Sequence, residues 1–251
     1  MKKLIFRLLC NSFTGKIISI VFKNNIPNCK HGFKRYKTPN KYCTDTVRAM
    51  IFWGFYEGAE IRLIKKYFPN DTPVIELGSS LGIISSTVIS CLNENILLTC
   101  VEANPHLQEY ININISKHNL ARNNFKIISA AIAYNTNGFI DLNISNNNTA
   151  SSIVNNADHI NLKTTKVKAI TLDEIINIPY TLICDIEGAE IDILKNDIKS
   201  LMNCKHLFIE LHKTNYNGKN YGVSELKEII LSELGFKLVE QDGNVFYFKN
   251  K

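Results

Sequence analysis

The chain has 251 residues, of which 45% are hydrophobic and 21% are charged, and its formal net charge is +6. This composition is too apolar for a disordered chain, and its 12 Gly and 6 Pro are too few for a fibrous one. The length suits one large domain or one domain with an appendage. No stretch of about 18 uncharged apolar residues occurs, so we expect no transmembrane helix.

The cysteines exclude the commonest metal and redox motifs. The closest pair, Cys91 and Cys100, is nine residues apart, so the Cys-x-x-Cys spacing does not occur. An odd number of cysteines without a signal peptide is typical of reduced thiols. We therefore expect a cytoplasmic protein.

Residues 1–43 are basic, because they contain Lys and Arg but neither Asp nor Glu. Apolar residues cluster at positions 4–9 and 17–22. A basic amphipathic stretch of this kind can lie on the inner face of an anionic membrane. It can equally form a helix that packs on the main domain and keeps its lysines in solvent. We keep both interpretations.

Residues 44–68 are predicted to form one long helix. Thr44 or Asp45 can cap it, apolar residues recur at three- and four-residue steps, and Pro69 ends it. Residues 1–72 thus form a basic, helical N-terminal extension, and residues 73–251 form the main domain.

From residue 73 onward, short apolar runs alternate with helical segments. The predicted strands are Val74–Leu77, Ile96–Glu102, Phe125–Tyr134, Leu182–Asp185, Leu207–Leu211, Phe236–Glu240 and Val245–Phe248. The predicted helices cover residues 82–92, 105–119, 188–203 and 222–234. This alternation indicates an α/β fold with a mostly parallel sheet, and an Asp-Gly turn between the last two strands indicates an antiparallel hairpin.

An insertion interrupts the alternation at residues 135–170. It contains weak strands at Phe139–Ile144 and Val167–Ile170 around the Asn-rich stretch 143–156. Long loops in compact domains are commonly lids or binding loops, and a plain surface loop is the alternative.

The strongest local motif follows the first strand of the main domain. Its acid, glycines and serines are predicted cofactor-binding residues: Glu76, Gly78, Ser79, Ser80 and Gly82. The spacing matches neither G-x-G-x-x-G nor the P-loop, and what is left is the acid-x-Gly-x-x-x-Gly form of S-adenosylmethionine (SAM) sites. A structural turn is the alternative interpretation.

A second acid lies twenty residues beyond Gly82. Glu102 ends the next strand, where a carboxylate can accept hydrogen bonds from both ribose hydroxyls of a cofactor. Asn104 follows it, either as a further cofactor contact or as the start of a helix with Pro105. The two motifs at this separation are more specific than either one alone.

The acceptor site is predicted at the ends of the fourth and fifth parallel strands. Asp185 and Glu187 follow one strand, while Glu210 and His212 lie on the same face of the other. Neighbouring parallel strands place these residues together, so we interpret all four as catalytic, with His212 as the base. A divalent metal held by the carboxylates with His212 is the variant. Ordinary strand-end residues are the alternative.

Four segments together resemble the FkbM-type methyltransferase family: Glu76–Gly82, Glu102–Pro105, Thr171–Glu174 and Asp185–Glu190. Their order and spacing match across about residues 73–212, and Asp-x-Glu-Gly-x-Glu is the most specific element. Glu76 stands where the family usually has Asp, and Ser79-Ser80 replace an Ala-Asn pair. The resemblance implies a class I (Rossmann-like) methyltransferase with a seven-stranded sheet and a SAM-dependent O-methyltransferase activity on sugar or polyketide hydroxyls.

We therefore expect a SAM-dependent O-methyltransferase that methylates a sugar hydroxyl of a bacterial surface glycan or related glycoconjugate. The first alternative, a nucleic-acid methyltransferase, is suggested by the positive charge, but Asp185 and Glu187 would repel phosphates, so we expect no nucleic-acid partner. The second alternative is a non-catalytic membrane-peripheral protein that keeps the fold.

Overall fold

The computed structural model describes residues 2–30, 34–119, 124–144, 152–153 and 163–250. The helices in these ranges are α1 (Lys2–Leu9), α2 (Ser12–Phe22), α3 (Asp45–Trp53), α4 (Gly58–Tyr67), α5 (Ile83–Ile89), α6 (Gln108–His118), α7 (Glu190–Asn196), α8 (Ile198–Asn203) and α9 (Val223–Glu228), which continues as a π-helical turn over Ile229–Glu233.

The strands carry apolar, β-branched and aromatic residues. They are β1 (Asn25–Pro27), β2 (Arg35–Lys37), β3 (Val74–Leu77), β4 (Leu98–Glu102), β5 (Phe125–Ser129), β6 (Ala131–Ile132), β7 (Phe139–Ile144), β8 (Ser152–Ile153), β9 (Lys163–Ile170), β10 (Tyr180–Cys184), β11 (Cys204–Glu210), β12 (Thr214–Tyr216), β13 (Lys219–Tyr221), β14 (Lys237–Asp242) and β15 (Val245–Lys249).

The central sheet has seven strands in the order β14-β15-β11-β10-β3-β4-β5. Neighbours from β11 to β5 are parallel, while β15 is antiparallel to both β11 and β14. The reversal follows from the predicted hairpin, in which Gly243 adopts a φ of +68° in the turn between β14 and β15. The predicted class I methyltransferase sheet, with its C-terminal antiparallel hairpin, is confirmed.

Both faces of this sheet are buried, as expected for a parallel sheet with helices on each side. Alternate residues of β3 enter different cores: Val74 belongs to a cluster with residues of α2–α6, and Ile75 belongs to a cluster with residues of α7–α9. The carboxyl ends of the parallel strands are thereby fixed between two layers of helices.

The N-terminal extension shares one of these cores. Ile26 of β1 and Tyr36 of β2 are almost fully buried in the same cluster as Val74. Gly15 of α2 lies so close to α3 that an added Cβ would be 1.7 Å from the Asp45 carbonyl oxygen. The division between residues 1–72 and 73–251 stays a prediction, and the two parts are packed together. No helix of the described residues is long and apolar enough to span a bilayer.

The prediction of one continuous helix over residues 44–68 is wrong. Gly54 ends α3 in the left-handed conformation, with a φ of 68°, and Glu57 precedes α4 with a φ of 52°. Apolar burial continues across this break, because both Ile51 and Tyr56 are buried. The periodicity therefore concealed the turn, and the turn directs Tyr56 and Glu57 toward the end of the central sheet.

The insertion forms a second sheet of order β6-β9-β7-β8. The predicted strand Phe125–Tyr134 is divided at Ala130, so that β5 belongs to the central sheet and β6 to the second one. Within the Asn-rich stretch 143–156, residues 145–151 and 154–156 lie outside the described residues.

Candidate functional site

A cavity of about 260 Å³ opens at the carboxyl ends of the parallel strands. Its walls come from the loops after these strands, from the α3–α4 turn and from the second sheet. They comprise Met50, Tyr56, Glu57, Leu77, Gly78, Ser80, Val101, Glu102, Ala103, Ala130, Ala131, Ile132, Leu142, Asp185, Ile186, Glu187, Ala189, Glu210 and His212. Ligands of open α/β sheets bind in this position.

The strand order determines which residues follow one another along the cavity. Going from β5 to β11, the strand ends present Ala130, Glu102, Gly78, Asp185 and Glu210 in that order. With a strand separation of about 4.8 Å, these ends span about 19 Å. The cavity thus has an apolar end at Ala130 and an acidic end at Asp185 and Glu210. Between them lie the Glu102 carboxylate and residues 78–82, which we call the glycine loop.

The glycine loop is clamped between β4 and β10. The Gly78 N–H donates to the Val101 carbonyl oxygen at 2.9 Å. Gly78 has a φ of +85°, and a Cβ added there would lie 1.7 Å from the Asp185 carbonyl oxygen. Only glycine fits this position, so the backbone of the loop itself forms the cavity wall.

Glu102 is held by the backbone on both sides of its carboxylate. Its Oε2 accepts from the Ser80 N–H at 2.8 Å, and its Oε1 accepts from the Asn104 N–H at 2.7 Å. Burial raises the pKa of Glu102, and the two N–H donors oppose that rise. Each carboxylate oxygen has two lone pairs, so the group can still accept further hydrogen bonds from a ligand.

Four predicted cofactor residues lie behind the cavity wall: Glu76, Ser79, Gly82 and Asn104. Glu76 is buried, with its Oε2 3.5 Å from Cys100 Sγ, and burial raises its pKa to about 7. Their direct contact with a cofactor stays a prediction. Glu76 and Ser79 are both buried, and neither is among the residues that line the cavity.

The other two residues, Gly82 and Asn104, precede the helices α5 and α6. Gly82 begins α5 in the left-handed conformation, and a Cβ there would lie 3.0 Å from the Ile111 Cα. Asn104 Oδ1 accepts a hydrogen bond from the His106 N–H at 3.1 Å, and its Nδ2 is buried with no hydrogen-bond partner among the described residues.

The structure brings the four predicted catalytic residues together around one imidazole. His212 Nε2 is 3.6 Å from Glu187 Oε2, 3.8 Å from Glu210 Oε1 and 3.9 Å from Asp185 Oδ1. These distances exceed those of hydrogen bonds but are short enough for a protonated imidazole to attract all three carboxylates. The chemical roles of the four residues stay predictions.

Glu190 orients the imidazole of His212 through a contact with its Nδ1 atom. Its carboxylate is fully buried, and Oε1 lies 3.0 Å from His212 Nδ1. The same oxygen accepts from the N–H groups of Gly188 and Ile186, at 3.1 and 3.3 Å. Glu190 therefore ties the strand end after β10 to His212, rather than acting only on the dipole of α7.

At the acidic end of the cavity, the pKa values of His212 and Asp185 are both raised. The hydrogen bond to Glu190 raises the pKa of His212 to about 9, so the imidazole is protonated at neutral pH. Burial and the neighbouring Glu210 raise the pKa of Asp185 to about 8. Among the described residues, those that line the cavity include neither Lys nor Arg.

Three functional candidates were missed because they lie in the N-terminal extension. Tyr56 and Glu57 line the cavity, and the Tyr56 hydroxyl lies 3.1 Å from Ser80 Oγ. Glu60 of α4 is buried, with a carboxylate oxygen within 4.8 Å of those of Asp185 and Glu210. A signal was present: only four acids occur in residues 1–72, and two of them are Glu57 and Glu60, beside a glycine.

Backbone strain is concentrated at the cavity. Glu57, Ser80 and Glu187 line it with φ angles of 52°, 48° and 53°, in the left-handed region that costs a non-glycine residue about 1–2 kcal/mol. Such strain persists where surrounding structure fixes it, commonly at functional sites. It indicates that the wall is formed before a ligand binds.

Two groups of side chains among the described residues have the geometry of metal ligands. One is Asp185, Glu190 and His212, and the other is Glu60, Asp185 and Glu210. In each group the donor atoms lie within 4.8 Å of one another.

The family profile of the methyltransferase FkbM domain matches residues 74–238 of the sequence. This range contains the glycine loop, Glu102 and the acidic strand ends after β10 and β11. No curated protein sequence matches the chain.

Two of the solved structures with a similar fold are described as methyltransferases, and their sequence identity to this chain is low. One, from Pyrococcus horikoshii, is described as a "putative RNA methyltransferase", with 11% identity, 95% of this chain and 98% of that chain covered, and a TM-score of 0.45. Another is precorrin-6y C5,15-methyltransferase from Geobacter metallireducens, with 14% identity, 91% and 96% coverage, and a TM-score of 0.43. At this identity the likeness concerns the fold alone.

Proposed function

Because the chain belongs to the FkbM methyltransferase family, we propose that it is a SAM-dependent O-methyltransferase that acts on a sugar hydroxyl of a bacterial surface glycan or related glycoconjugate. The observation that carries the proposal is the acidic end of the cavity, where Asp185, Glu187 and Glu210 face one space with His212. Carboxylates are hydrogen-bond acceptors, and sugar hydroxyls are the matching donors.

The proposed cofactor follows the order of the strand ends. The apolar slot at Ala103 and Ala130 suits a flat purine, and Glu102 suits the two ribose hydroxyls beside it. The methionine part then lies over Gly78 and Ser80. This arrangement directs the sulfonium methyl toward Asp185.

The reaction is an in-line displacement. An oxygen lone pair of the acceptor forms a bond to the methyl carbon while the carbon–sulfur bond breaks, and its electron pair stays on sulfur as S-adenosylhomocysteine forms. The hydroxyl proton passes to a base, for which His212 is our candidate in the minority of molecules whose imidazole is neutral, because its pKa of about 9 keeps it mostly protonated at pH 7. Asp185, Glu187 and Glu210 position the hydroxyl. The protein mainly supplies orientation, because the sulfonium is already a good leaving group.

The lining of the cavity also bears on the nucleic-acid alternative. Some similar folds are described as RNA methyltransferases, so the expectation of no nucleic-acid partner stays a prediction. Within the part of the chain that the structure describes, the lining contains carboxylates but neither Lys nor Arg, which disfavours a polyanion at the acceptor end.

Transfer of a labelled methyl group from SAM to separate panels of sugar nucleotides, glycans and RNA tests the proposal. We expect label in a sugar product, its loss in Asp185→Asn, and its retention in Asp173→Asn, a matched control outside the cavity lining. Label in RNA alone supports the alternative. Absence of both SAM binding and transfer supports a non-catalytic protein.

We also propose that the enzyme works at an anionic membrane surface, through helices α1 and α2. Their outer faces expose large apolar side chains: Leu4, Ile5, Leu8, Phe13, Ile17, Ile20 and Val21. Arg7, Lys16 and Lys23 are exposed among them, and residues 1–43 contain no acid to oppose their charge. Apolar insertion with basic flanks suits the anionic cytoplasmic leaflet.

Vesicle flotation tests this surface without removing residues that the core needs. Phe13 and Ile20 are 74% and 71% exposed, so Phe13→Ser and Ile20→Ser should fold and lose binding to phosphatidylglycerol vesicles. Met202→Ser, at a 70% exposed position on α8, is the matched control and should bind like the wild type. Equal flotation of all variants would contradict the membrane proposal alone.

A further inference from the structure

We infer that Glu60, Asp185 and Glu210 form a binding site for one hard divalent cation of the Mg²⁺, Mn²⁺ or Ca²⁺ class. The three residues come from α4, the end of β10 and the end of β11. One carboxylate oxygen of each lies within 4.8 Å of the other two. Two oxygens that bind one ion at 2.1–2.5 Å are at most about 4.2–5.0 Å apart, so small side-chain movements close the site.

The independent observation is the state of Glu60. Its side chain is only 4% exposed, and it makes no hydrogen bond or ion pair within the part of the chain that the structure describes. An ionised carboxylate buried without a partner is strongly unfavourable. Among the described residues, Asp185 Oδ1 is likewise buried without a hydrogen-bond partner, and its ion-pair partner is His212 Nε2 at 3.9 Å. An unpaired carboxylate and one with a single distant cation therefore face the same small volume.

Basic residues near Glu60 are engaged with other acids. Arg62 Nε donates to Asp242 Oδ2 at 2.7 Å, and Lys66 Nζ donates to Glu240 Oε2 at 2.7 Å. Both pairs fix α4 to β14. The nearest cation, His212, directs its Nδ1 to Glu190 and lies 3.8–3.9 Å from Glu210 and Asp185. A single imidazole does not balance the buried acids around it.

A second cavity provides a path for an ion. It has a volume of about 340 Å³, and its lining includes Glu57, Glu60 and Glu210. Glu57 and Glu210 line both this cavity and the candidate active site. The proposed ion thus lies at the wall between the two spaces.

The donor set determines the class of ion. Three carboxylate oxygens without sulfur suit hard cations and disfavour soft ones. The cation would fix Asp185 and Glu210 at the acceptor end. Its effect on the acceptor hydroxyl rests on the proposed function, whereas its binding does not.

Binding of Mn²⁺ to chelator-treated protein, followed by the electron paramagnetic resonance signal of free Mn²⁺, tests the inference. We expect one saturable site per chain that Mg²⁺ or Ca²⁺ competes for, and at least a tenfold weaker affinity in Glu60→Gln. Glu94→Gln, at an exposed position, is the matched control and should bind like the wild type.

Thermal unfolding gives a second readout. Added Mn²⁺ should raise the melting temperature of the wild type and leave that of Glu60→Gln unchanged. Glu210→Gln, which is partly exposed, should give the same loss and replaces Glu60→Gln if that variant does not fold.

Absence of saturable binding of any of the three ions, or wild-type affinity in both variants, would overturn the metal site. SAM titration of the same proteins separates the two proposals. Retained SAM binding without metal binding overturns this inference and leaves the methyltransferase proposal intact.

Discussion

The two ends of the cavity use carboxylates in opposite ways. At the end of β4, Glu102 accepts a backbone N–H on each of its oxygens. At the ends of β10 and β11, Asp185 and Glu210 have each other, buried Glu60 and one imidazole as neighbours. The first carboxylate is satisfied by the protein itself, whereas the second group is left to be satisfied by what binds there.

This difference indicates a division of labour. Backbone donors fix Glu102 in one orientation, which suits the contact with a constant cofactor that we propose for it. The acidic cluster stores unfavourable electrostatic energy that a cation or a hydroxyl donor relieves on binding. The substitutions Asp185→Asn and Glu102→Ala each alter one end of the cavity and leave the other unchanged.

The largest effect is expected from Asp185→Asn. This change keeps the shape and removes a carboxyl group that can ionise and accept hydrogen bonds on both oxygens, so we expect turnover to fall by about 1000-fold, within the range for lost acid–base or positioning groups. SAM affinity, measured by calorimetry, should change less than threefold, because Glu102 is untouched. Near wild-type turnover would remove Asp185 from the mechanism.

Gly78→Ala adds a side-chain atom at the strand end that lies between Glu102 and the acidic cluster. The added Cβ would lie 1.7 Å from the Asp185 carbonyl oxygen, so we expect a loss of about 4 kcal/mol in the free energy of unfolding. Gly138→Ala is the matched control, because Gly138 has a φ of +81° and nothing lies within 4 Å of its added Cβ. That control should lose about 1–2 kcal/mol from conformational strain alone. Equal losses in chemical denaturation would show that the close approach does not matter.

Glu76 allows a pH test of a carboxylate hidden behind the loop. Its pKa is raised from 4.5 to about 7 by burial, so the folded state holds its proton longer than the unfolded state does. Stability should therefore fall as the pH rises from 4.5 to 7, by about 3 kcal/mol from this group, and stay level above pH 7.

The control for this test is Glu76→Gln, which lacks the titrating group. The difference in unfolding free energy between the wild type and this variant should follow the same pH course. A difference that stays constant from pH 4.5 to 7 would show that Glu76 is not held protonated.

The smallest of these effects is expected from Glu102→Ala. The ribose loses its carboxylate, and the Ser80 and Asn104 N–H groups lose their acceptor, so SAM affinity should fall by more than about tenfold. Turnover at saturating SAM should fall much less than in Asp185→Asn. Unchanged affinity in calorimetry would mean that Glu102 does not contact the cofactor.

The sequence predicted the central sheet and the acids at its strand ends because these features are local. An apolar strand that ends in an acid and a glycine turn identifies both Glu102 and the Gly78 loop without tertiary information. The burial of Glu76 was not accessible, because its face of the strand depends on the packing of Cys100 against it.

The contribution of the extension was inaccessible for a different reason. The left-handed residues Gly54 and Glu57 interrupt a helix whose apolar period continues, and this break alone brings Glu57 into the cavity. Glu60 lies on a helix with basic neighbours, where an acid is ordinarily an exposed ion-pair partner. Only the packing of α4 beside β11 buries it near Asp185.

A crystal structure with S-adenosylhomocysteine tests the division of the cavity most directly. We expect the purine in the slot at Ala103 and Ala130, both ribose hydroxyls within hydrogen-bond distance of Glu102, and the sulfur directed toward Asp185 and Glu210. A ribose distant from Glu102, or a sulfur directed away from the acidic cluster, would contradict the account.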